Sequence, residues 1–278
     1  MTMNRKSIAK ICIGVCFGAF CLIWIYPFLW MFSASFKSTM ELFTSGLRLI
    51  PKSFSFDSYE RAWIKGGFSV YFMNSVVVTI STILIVVIRC ALAGYVLAMY
   101  DFKGKKILMA LFLATFMIPS GTTIIPTVEL SDKLGLLNSR IGLILAMAGG
   151  GNIVSIFLYK AFFEKTPKSL SEAATIDGAG FFTVFSKIML PMTGPVTATT
   201  IIMTFMGSWN NFMLPLVFTF GTPQYRTLPV GMMAFQSVNE TDWSGMTAAG
   251  TLTLIPVLVV FIILQKYFVN SIAGAIKE

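Results

Sequence analysis

Long apolar stretches recur along the whole sequence, and they constrain its fold more than any other feature. A bilayer core is about 30 Å thick, so a helix needs about 20 mostly apolar residues to cross it. Six segments reach this length; they span about residues 8–32, 70–98, 107–128, 141–162, 192–220 and 246–269. Because backbone groups inside lipid must hydrogen-bond internally, each segment is expected to be helical. The sequence therefore predicts an all-α integral membrane protein with six transmembrane helices, in a single transmembrane domain over residues 1–278.

Composition argues against several other classes of protein. Hydrophobic residues make up 56% of the chain and charged residues only 12%, which is too apolar for a soluble domain. The net charge of +9 is spread singly between the apolar segments, so no nucleic-acid partner is expected. The chain has no histidine, and its four cysteines lie within apolar segments. Neither a nucleophile–histidine pair nor a metal site is expected, and no enzymatic activity is expected in this chain.

The distribution of basic residues predicts the orientation in the membrane. The first apolar segment has no small-residue cleavage pattern and is expected to be retained as a span. Six spans place both termini on one side, whose connectors carry twelve Lys and Arg against eight on the other. Both termini are therefore predicted to be cytoplasmic, with the basic turn at residues 101–106 also inside. The long segment at residues 33–69 is expected to form an ordered extracytoplasmic cap.

The connector between the fourth and fifth segments, residues 163–191, has the features of a structured element. Ser169 is expected to cap a short helix with Glu172 reaching back, as in a capping box, and Gly178 is expected to end it in a left-handed conformation. A helix of two to three turns is unstable alone in water, so it needs a partner surface. Leu170, Ala173 and Ala174 share one face, where small side chains permit close approach of another protein. The following apolar residues are expected to pack on the membrane domain; they are Phe181, Phe182, Phe185, Ile188 and Met189.

Fixed residues in this connector match a known motif. Glu172-Ala-Ala is followed by Gly178 and then by Ile188-Met-Leu-Pro191. This spacing resembles, at every fixed position, the EAA motif of ABC importer permeases. Three further segments, Trp209-Asn-Asn-Phe, Leu228-Pro-Val-Gly and Gln265-Lys-Tyr-Phe-Val, are similar to the carbohydrate-uptake branch, specifically the maltose-type second permease. The resemblance covers nearly the whole chain.

The resemblance implies a subunit of a binding-protein-dependent importer in the bacterial cytoplasmic (inner) membrane. Its partners would be a second homologous permease in a heterodimer, an ATPase dimer, a substrate-binding protein and membrane lipid. The short helix would be the coupling helix seated on an ATPase; its residues would be Ser169, Leu170, Glu172, Ala173, Ala174, Asp177 and Gly178. This chain lacks a P-loop, so no cofactor is expected on it, and ATP and Mg would bind the partner ATPase.

A row of polar residues follows the fifth segment. Thr197, Thr200, Thr204, Ser208 and Asn211 recur at three- and four-residue spacing and share one helix face. Such a stripe is typical of a substrate path, and equally of hydrogen-bonding contacts between membrane helices. The candidates for the substrate pathway are Thr204, Ser208, Trp209, Asn210 and Asn211. Amides bond hydroxyl groups and an indole stacks on a sugar face.

Three other features carry weaker signals. Arg89 lies inside the second segment, where a structural ion pair or snorkelling is favoured over a direct role in transport. The Gly149–Asn152 segment is interpreted as a close-packing or kink site. Prolines are also expected to kink their helices; they are Pro27, Pro119, Pro126 and Pro256.

Two alternatives to a sugar importer stay open at this point. A permease of the same architecture could carry a polyol, a glycerol phosphodiester or a modified glycan. A self-contained secondary transporter would need carboxylates deep in the spans for ion coupling. None of the twelve Asp and Glu residues lies deep in a predicted span, which disfavours that class.

Overall fold

The structure is a computed structural model, and it describes residues 5–236 and 241–275. Nearly all regular structure is helical; among the described residues, the β pairing is an isolated bridge between Gln236 and Thr241. The chain groups into two compact units, one formed by residues 1–69 and 232–255 and the other by residues 70–231 and 256–278. The two chain ends, for which a cytoplasmic location is predicted, lie outside the described residues.

The first unit begins with α1, a 30-residue helix over Arg5–Ala34. It continues with two short helices, α2 (Thr39–Thr44) and α3 (Asp57–Glu60), and a π-helical turn at Arg61–Lys65. The segment at residues 33–69 is thus ordered, in agreement with the sequence-based prediction. The buried apolar side chains of this unit are small or aromatic; they include Ala34, Ala62, Phe68, Phe235, Ala248 and Ala249.

Most of the second unit consists of helices that follow one another closely. It holds nearly all of α4 (Phe68–Met99), and its other helices are α5 (Lys105–Ala114), α6 (Ile124–Lys133), α7 (Arg140–Gly149), α8 (Ile153–Lys165), α9 (Ser169–Ile176), α10 (Phe181–Thr183), α11 (Leu190–Met192), α12 (Gly194–Trp209), α13 (Met213–Phe218) and α14 (Leu228–Gly231). The last helix, α15 (Trp243–Ala275), is 33 residues long and is shared with the first unit.

Three helices of the described chain are long and apolar enough to cross a membrane, within α1, α4 and α15. Three further crossings are obtained if each pair of helices joined at a sharp bend counts as one span. The bends are 100° between Lys105–Met117 and Gly121–Lys133, 56° between Arg140–Gly149 and Ile153–Glu164, and 82° between Phe181–Met192 and Gly194–Trp209.

Local sequence explains where these helices break. Pro119 is extended and precedes a new helical turn, and Gly150 is also extended before α8 starts. Proline cannot donate an intrahelical bond and glycine stabilises helices poorly, so both act as breaks. The kink predicted for the Gly149–Asn152 segment is therefore present. By contrast, α1 and α15 continue as helices through Pro27 and Pro256.

Candidate functional site

The short helix α9 is bounded by two different backbone signals. Thr166 is extended, as expected for a residue before proline, and Pro167 opens the first turn, its carbonyl accepting from Leu170 N. At the other end, Gly178 has φ +86°. Its N–H donates to Thr175 O (3.0 Å), and Ala179 N–H donates to Ala174 O (2.9 Å). This pair of bonds is a Schellman motif, so the predicted left-handed ending at Gly178 is confirmed.

The predicted capping box is wrong. The residue at the N-cap position is Lys168, and no side chain caps the helix there. Because the N-cap lies one residue earlier than expected, Ser169 is already the first residue of the helix. Its side chain is exposed, as is that of Glu172.

Two neighbouring alanines of α9 lie in different environments. Ala174 is 9% exposed and packs in a cluster of this chain's own side chains. Ala173 is exposed. The prediction that Leu170, Ala173 and Ala174 together face another protein is therefore wrong for Ala174, which is buried in the fold. The exposed apolar ridge is formed instead by Leu170, Ala173 and Ile176, the last of which is 86% exposed.

The cluster that holds Ala174 is aromatic and continuous. Tyr95 from α4 lies 5.4 Å from the ring of Phe163 on α8 and 5.4 Å from the ring of Phe185. Met189 is fully buried in the same cluster. Phe185, Ile188 and Met189 therefore pack on the helices around them as the sequence predicted, whereas Phe182 is exposed. Through this cluster, α9 is attached to α4, α8 and the segment that follows it.

A groove of about 730 Å³ runs beside α9. Tyr95, Tyr100 and Phe181 line one part of it, and their rings are in mutual contact at 5.6–5.8 Å. Ser171, Glu172 and Thr175 are among its other lining residues. Glu172 therefore borders a groove with an aromatic wall, while Asp177 lies at the exposed C-terminal end of α9.

The segment after α9 leads into the helix that bears the polar stripe. Residues Val184–Met189 form a π-helix, and the chain then bends by 82° before α12. Thr193 lies at this bend and is fully buried. Its hydroxyl is hydrogen-bonded to Leu190 O (2.7 Å) and to the hydroxyl of Thr197 (2.9 Å). The bend is thus fixed by side-chain bonds on both sides.

The polar stripe on α12 faces other helices of this chain. Thr197 is hydrogen-bonded to the hydroxyl of Tyr159 on α8 (2.8 Å), and Ser208 to that of Thr79 on α4 (3.2 Å). The hydroxyls of Thr200 and Thr204 are buried without a hydrogen-bond partner among the described residues. Of the two interpretations of the stripe, this geometry favours contact between helices.

The remaining pathway candidates occupy different environments. Trp209 is 2% exposed, stacked on Phe205 at 5.4 Å and edge-on to Phe72 at 6.0 Å. Asn211 accepts from Leu214 N (3.2 Å) and so caps the start of α13. Asn210 is exposed, and its amide donates to Met206 O (3.1 Å). The five candidates therefore do not share one environment.

Two features of this region were missed by sequence reasoning. Gly94 is buried where α4 meets α8, and a Cβ there would come within 2.5 Å of Tyr159 Cβ and 2.8 Å of Lys160 N. Small residues that permit such an approach are common between membrane helices, and Ala93-Gly94 in an apolar segment was the available signal. Tyr159 gave no signal, because a tyrosine in an apolar run is equally typical of a membrane interface.

Arg89 is partly buried, and its Nε is enclosed without a hydrogen-bond partner among the described residues. Within the same residues, no three His, Cys, Asp or Glu side chains lie close enough together to hold a metal ion.

Comparison with known proteins identifies the family. Residues 90–274 match the family described as binding-protein-dependent transport system inner membrane component. This range includes α9 and most of the second unit. The chain belongs to this permease family. It is thus a membrane-integral transport subunit of an ABC importer and not an enzyme, as the sequence predicted.

Individual relatives of this permease are similar over nearly their whole length. The probable ABC transporter permease YurM of Bacillus subtilis is 37% identical over 91% of this chain and 83% of its own. The diacetylchitobiose uptake permease NgcG of Streptomyces coelicolor is 35% identical with the same coverage. The arabinooligosaccharide transport permease AraQ of Halalkalibacterium halodurans is 32% identical over 95% of both chains.

A solved structure supports the same fold. A chain in the crystal structure of a bacterial ABC transporter that imports the acidic polysaccharide alginate superposes with a TM-score of 0.83 and 26% identity. The match covers 96% of this permease and 99% of that chain. The predicted all-helical membrane architecture is therefore confirmed at the level of the permease fold.

Proposed function

We propose that this permease forms half of the translocation pathway for a sugar or oligosaccharide, paired with a second homologous permease. An ATPase dimer that binds ATP and Mg would supply the energy, and a soluble binding protein would deliver the substrate. The carbohydrate assignment is supported by the names of the relatives, which include uptake systems for diacetylchitobiose and arabinooligosaccharides. Six spans in a single domain, with both termini cytoplasmic in the bacterial cytoplasmic (inner) membrane, belong to the same proposal.

The observation that carries the coupling proposal is the two-sided construction of α9. One side is anchored by Ala174 in the chain's own aromatic cluster, and the other presents Leu170, Ala173 and Ile176 to solvent. Exposed apolar side chains on an eight-residue helix fit a surface that is covered by another protein. A force applied to this ridge would reach α4 and α8 through the cluster, as alternating access requires.

Only some of the five candidate residues for the substrate pathway could contact a substrate directly. Thr204, Ser208 and Trp209 are buried against this chain's own helices, so they would shape the path indirectly. Asn210 and Asn211 are the candidates with accessible amide groups for sugar hydroxyls.

The adjacent alanines offer a matched test of coupling. Ala173→Asp places a charge on the exposed ridge, so permease abundance should stay near normal while the ATPase is lost from pull-down and uptake falls at least tenfold. Ala174→Asp places the same charge in the aromatic cluster, where burial of an unpaired carboxylate is costly, so abundance itself should fall. Thr175→Ser keeps the hydroxyl that bonds Ser171 O (2.8 Å) and should be silent.

Normal uptake by Ala173→Asp at normal abundance would contradict the proposal for α9. The substrate class is tested separately, by uptake in cells that express the assembled importer, with labelled mono- and oligosaccharides set against a polyol and a glycerol phosphodiester. Transport of the last two alone would overturn the carbohydrate assignment.

A further inference from the structure

Residues 46–52 form an irregular strap that lies along the end of α1. Backbone carbonyls of the strap accept hydrogen bonds from side chains on one face of this helix: Gly46 O from Trp30 Nε1 (3.2 Å), Leu47 O from the Tyr26 hydroxyl and Leu49 O from the Ser33 hydroxyl. The strap is therefore held by its backbone, which leaves its own side chains free to face outward.

Buried charges hold the strap from the other side. Lys37 is 1% exposed, and its ammonium donates to Arg48 O and to Ser45 Oγ (3.2 Å). Glu41 is also buried, and its carboxylate accepts from Lys52 N (2.7 Å). Both charges are thus used inside the fold, and the exposed charges within residues 37–52 are those of Arg48 and Lys52, which are basic.

The exposed side chains of the strap are apolar and basic. Leu47 is 75% exposed and Ile50 is 80% exposed, and Arg48 and Lys52 stand beside them. Because the backbone of the strap is held by hydrogen bonds, these highly exposed leucine and isoleucine side chains form an ordered amphipathic surface together with the two basic residues. A surface of this kind matches the boundary between lipid headgroups and acyl chains.

The aromatic residues that hold the strap also set its depth. Tyr and Trp are enriched where a transmembrane helix passes through the membrane interface. Tyr26 and Trp30 lie in the last three turns of α1, and both donate to the strap. Their positions favour a level for the strap among the lipid headgroups on the side where α1 ends.

We propose that the strap is a binding site for an anionic phospholipid, with Arg48 and Lys52 on the phosphate and Leu47 and Ile50 beside the acyl chains. Basic residues next to an interfacial apolar surface are the arrangement that recognises anionic headgroups. A subunit interface is a poorer fit, since charged residues are depleted from the centres of such interfaces.

The headgroup is tested with the purified importer in nanodiscs of phosphatidylglycerol or phosphatidylcholine. Native mass spectrometry should show at least twofold more phosphatidylglycerol than phosphatidylcholine retained after mild delipidation. The double variant Arg48→Gln, Lys52→Gln should lose this preference. The control Lys133→Gln, Arg140→Gln removes two other exposed positive charges that are predicted on the same side of the membrane as the strap, and it should keep the preference. Equal retention by both variants would overturn the headgroup assignment.

The location is tested with spin labels at Leu47→Cys and Ile50→Cys in a background without the four native cysteines. In the assembled importer, both labels should be more accessible to oxygen, which partitions into lipid, than to a water-soluble nickel chelate. Low accessibility to both reagents would place the strap in a subunit interface, and higher accessibility to the nickel chelate would place it in water. Either of these results would overturn the proposal.

Discussion

Gly178 is the residue whose conformation most restricts substitution in α9. At φ +86° any side chain is strained, and the Gly178 N–H is also one of the two bonds that close the helix. Alanine there should cost about 1–2 kcal/mol locally, and proline should cost more because it removes the N–H and fixes φ near −65°. Gly178→Ala should lower uptake modestly, whereas Gly178→Pro should abolish it at near-normal abundance.

The control for this prediction is a second glycine in the same loop. Gly180 has φ −75°, and a Cβ built there meets nothing within 4 Å. Gly180→Ala should therefore be silent in whole-cell uptake. If Gly178→Pro transported normally, the ending of α9 would have no part in function.

Asp242 is the residue that fixes the start of α15. Its carboxylate accepts from Gly245 N (2.9 Å) and from Arg61 Nε (3.1 Å) and Nη2 (3.2 Å). Burial raises the pKa of Asp242, but the bonds from Arg61, Gly245 and Ser244 outweigh it and hold the pKa below its usual value. The hydrogen bond between Arg61 and Asp242 also raises the pKa of Arg61.

A depressed pKa gives this contact a defined pH dependence. The contribution of Asp242 to stability is complete above its unfolded pKa of about 4 and is lost as pH falls through the lower folded pKa. Asp242→Asn keeps a good capping side chain and should cost about 1 kcal/mol or less at pH 7, because the pair is about one-third exposed. Asp242→Ala should cost about 1 kcal/mol more.

The measurement is thermal unfolding of the purified permease complex between pH 3 and pH 8. The difference between the native chain and Asp242→Asn should narrow progressively below about pH 4. A difference that is independent of pH would mean that the charge of Asp242 contributes nothing.

At the level of elements, the surface of α12 that packs on neighbouring helices, called the seam below, buries some hydroxyl groups that are hydrogen-bonded and others that are not. Thr197 is hydrogen-bonded to Tyr159 and Thr193, whereas the hydroxyl of Thr200, one turn later, is buried without a partner among the described residues. Replacing an unsatisfied buried hydroxyl by a methyl group of the same shape is neutral or stabilising. Thr200→Val should therefore unfold at the same or a higher temperature.

Thr197→Val is the matched comparison and should unfold at a lower temperature, with a cost of about 0.6–2 kcal/mol for a membrane hydrogen bond. Both variants should retain substrate uptake if the seam serves packing. Loss of uptake by Thr200→Val at normal stability would show instead that its hydroxyl takes part in transport.

The elements differ in how well the sequence predicted them. Long apolar runs were sufficient for α1, α4 and α15, because hydrophobic length alone defines a spanning helix. The 56° break after Gly149 was visible as a glycine-rich kink. The start of α9 was predicted one residue late, because a local capping signal was weighed above the restriction that Pro167 imposes on Thr166.

Side-chain direction was the property that the sequence determined least well. Spacing grouped Ala173 with Ala174, although only packing in the cluster that includes Tyr95 and Val184 decides which alanine is buried. Trp209 was an attractive sugar ligand by composition, yet Phe205 and Phe72 enclose it. Helical periodicity describes one helix, whereas burial depends on which neighbours the rest of the chain brings to it.

For the whole molecule, orientation is the prediction that most needs a direct measurement. In a chain without its native cysteines, Ser169→Cys on the exposed surface of α9 should react with a membrane-impermeant maleimide only from the cytoplasmic side. The opposite prediction holds for Ser53→Cys, an exposed position in the segment at residues 33–69. Labelling of Ser169→Cys in intact cells would reverse the proposed topology.

The 82° bend at Thr193 joins two helical arms at nearly a right angle, so a rotation of one arm also turns the other. The arm over Phe181–Met192 has twelve residues and is about 18 Å long, and the 16 residues of α12 extend about 24 Å. With the joint held rigid, a 1 Å push at the α9 end of the arm turns it by about 3°. The same rotation carries the far end of α12 about 1.3 Å sideways, so a movement at one membrane surface becomes a slightly larger one across the bilayer.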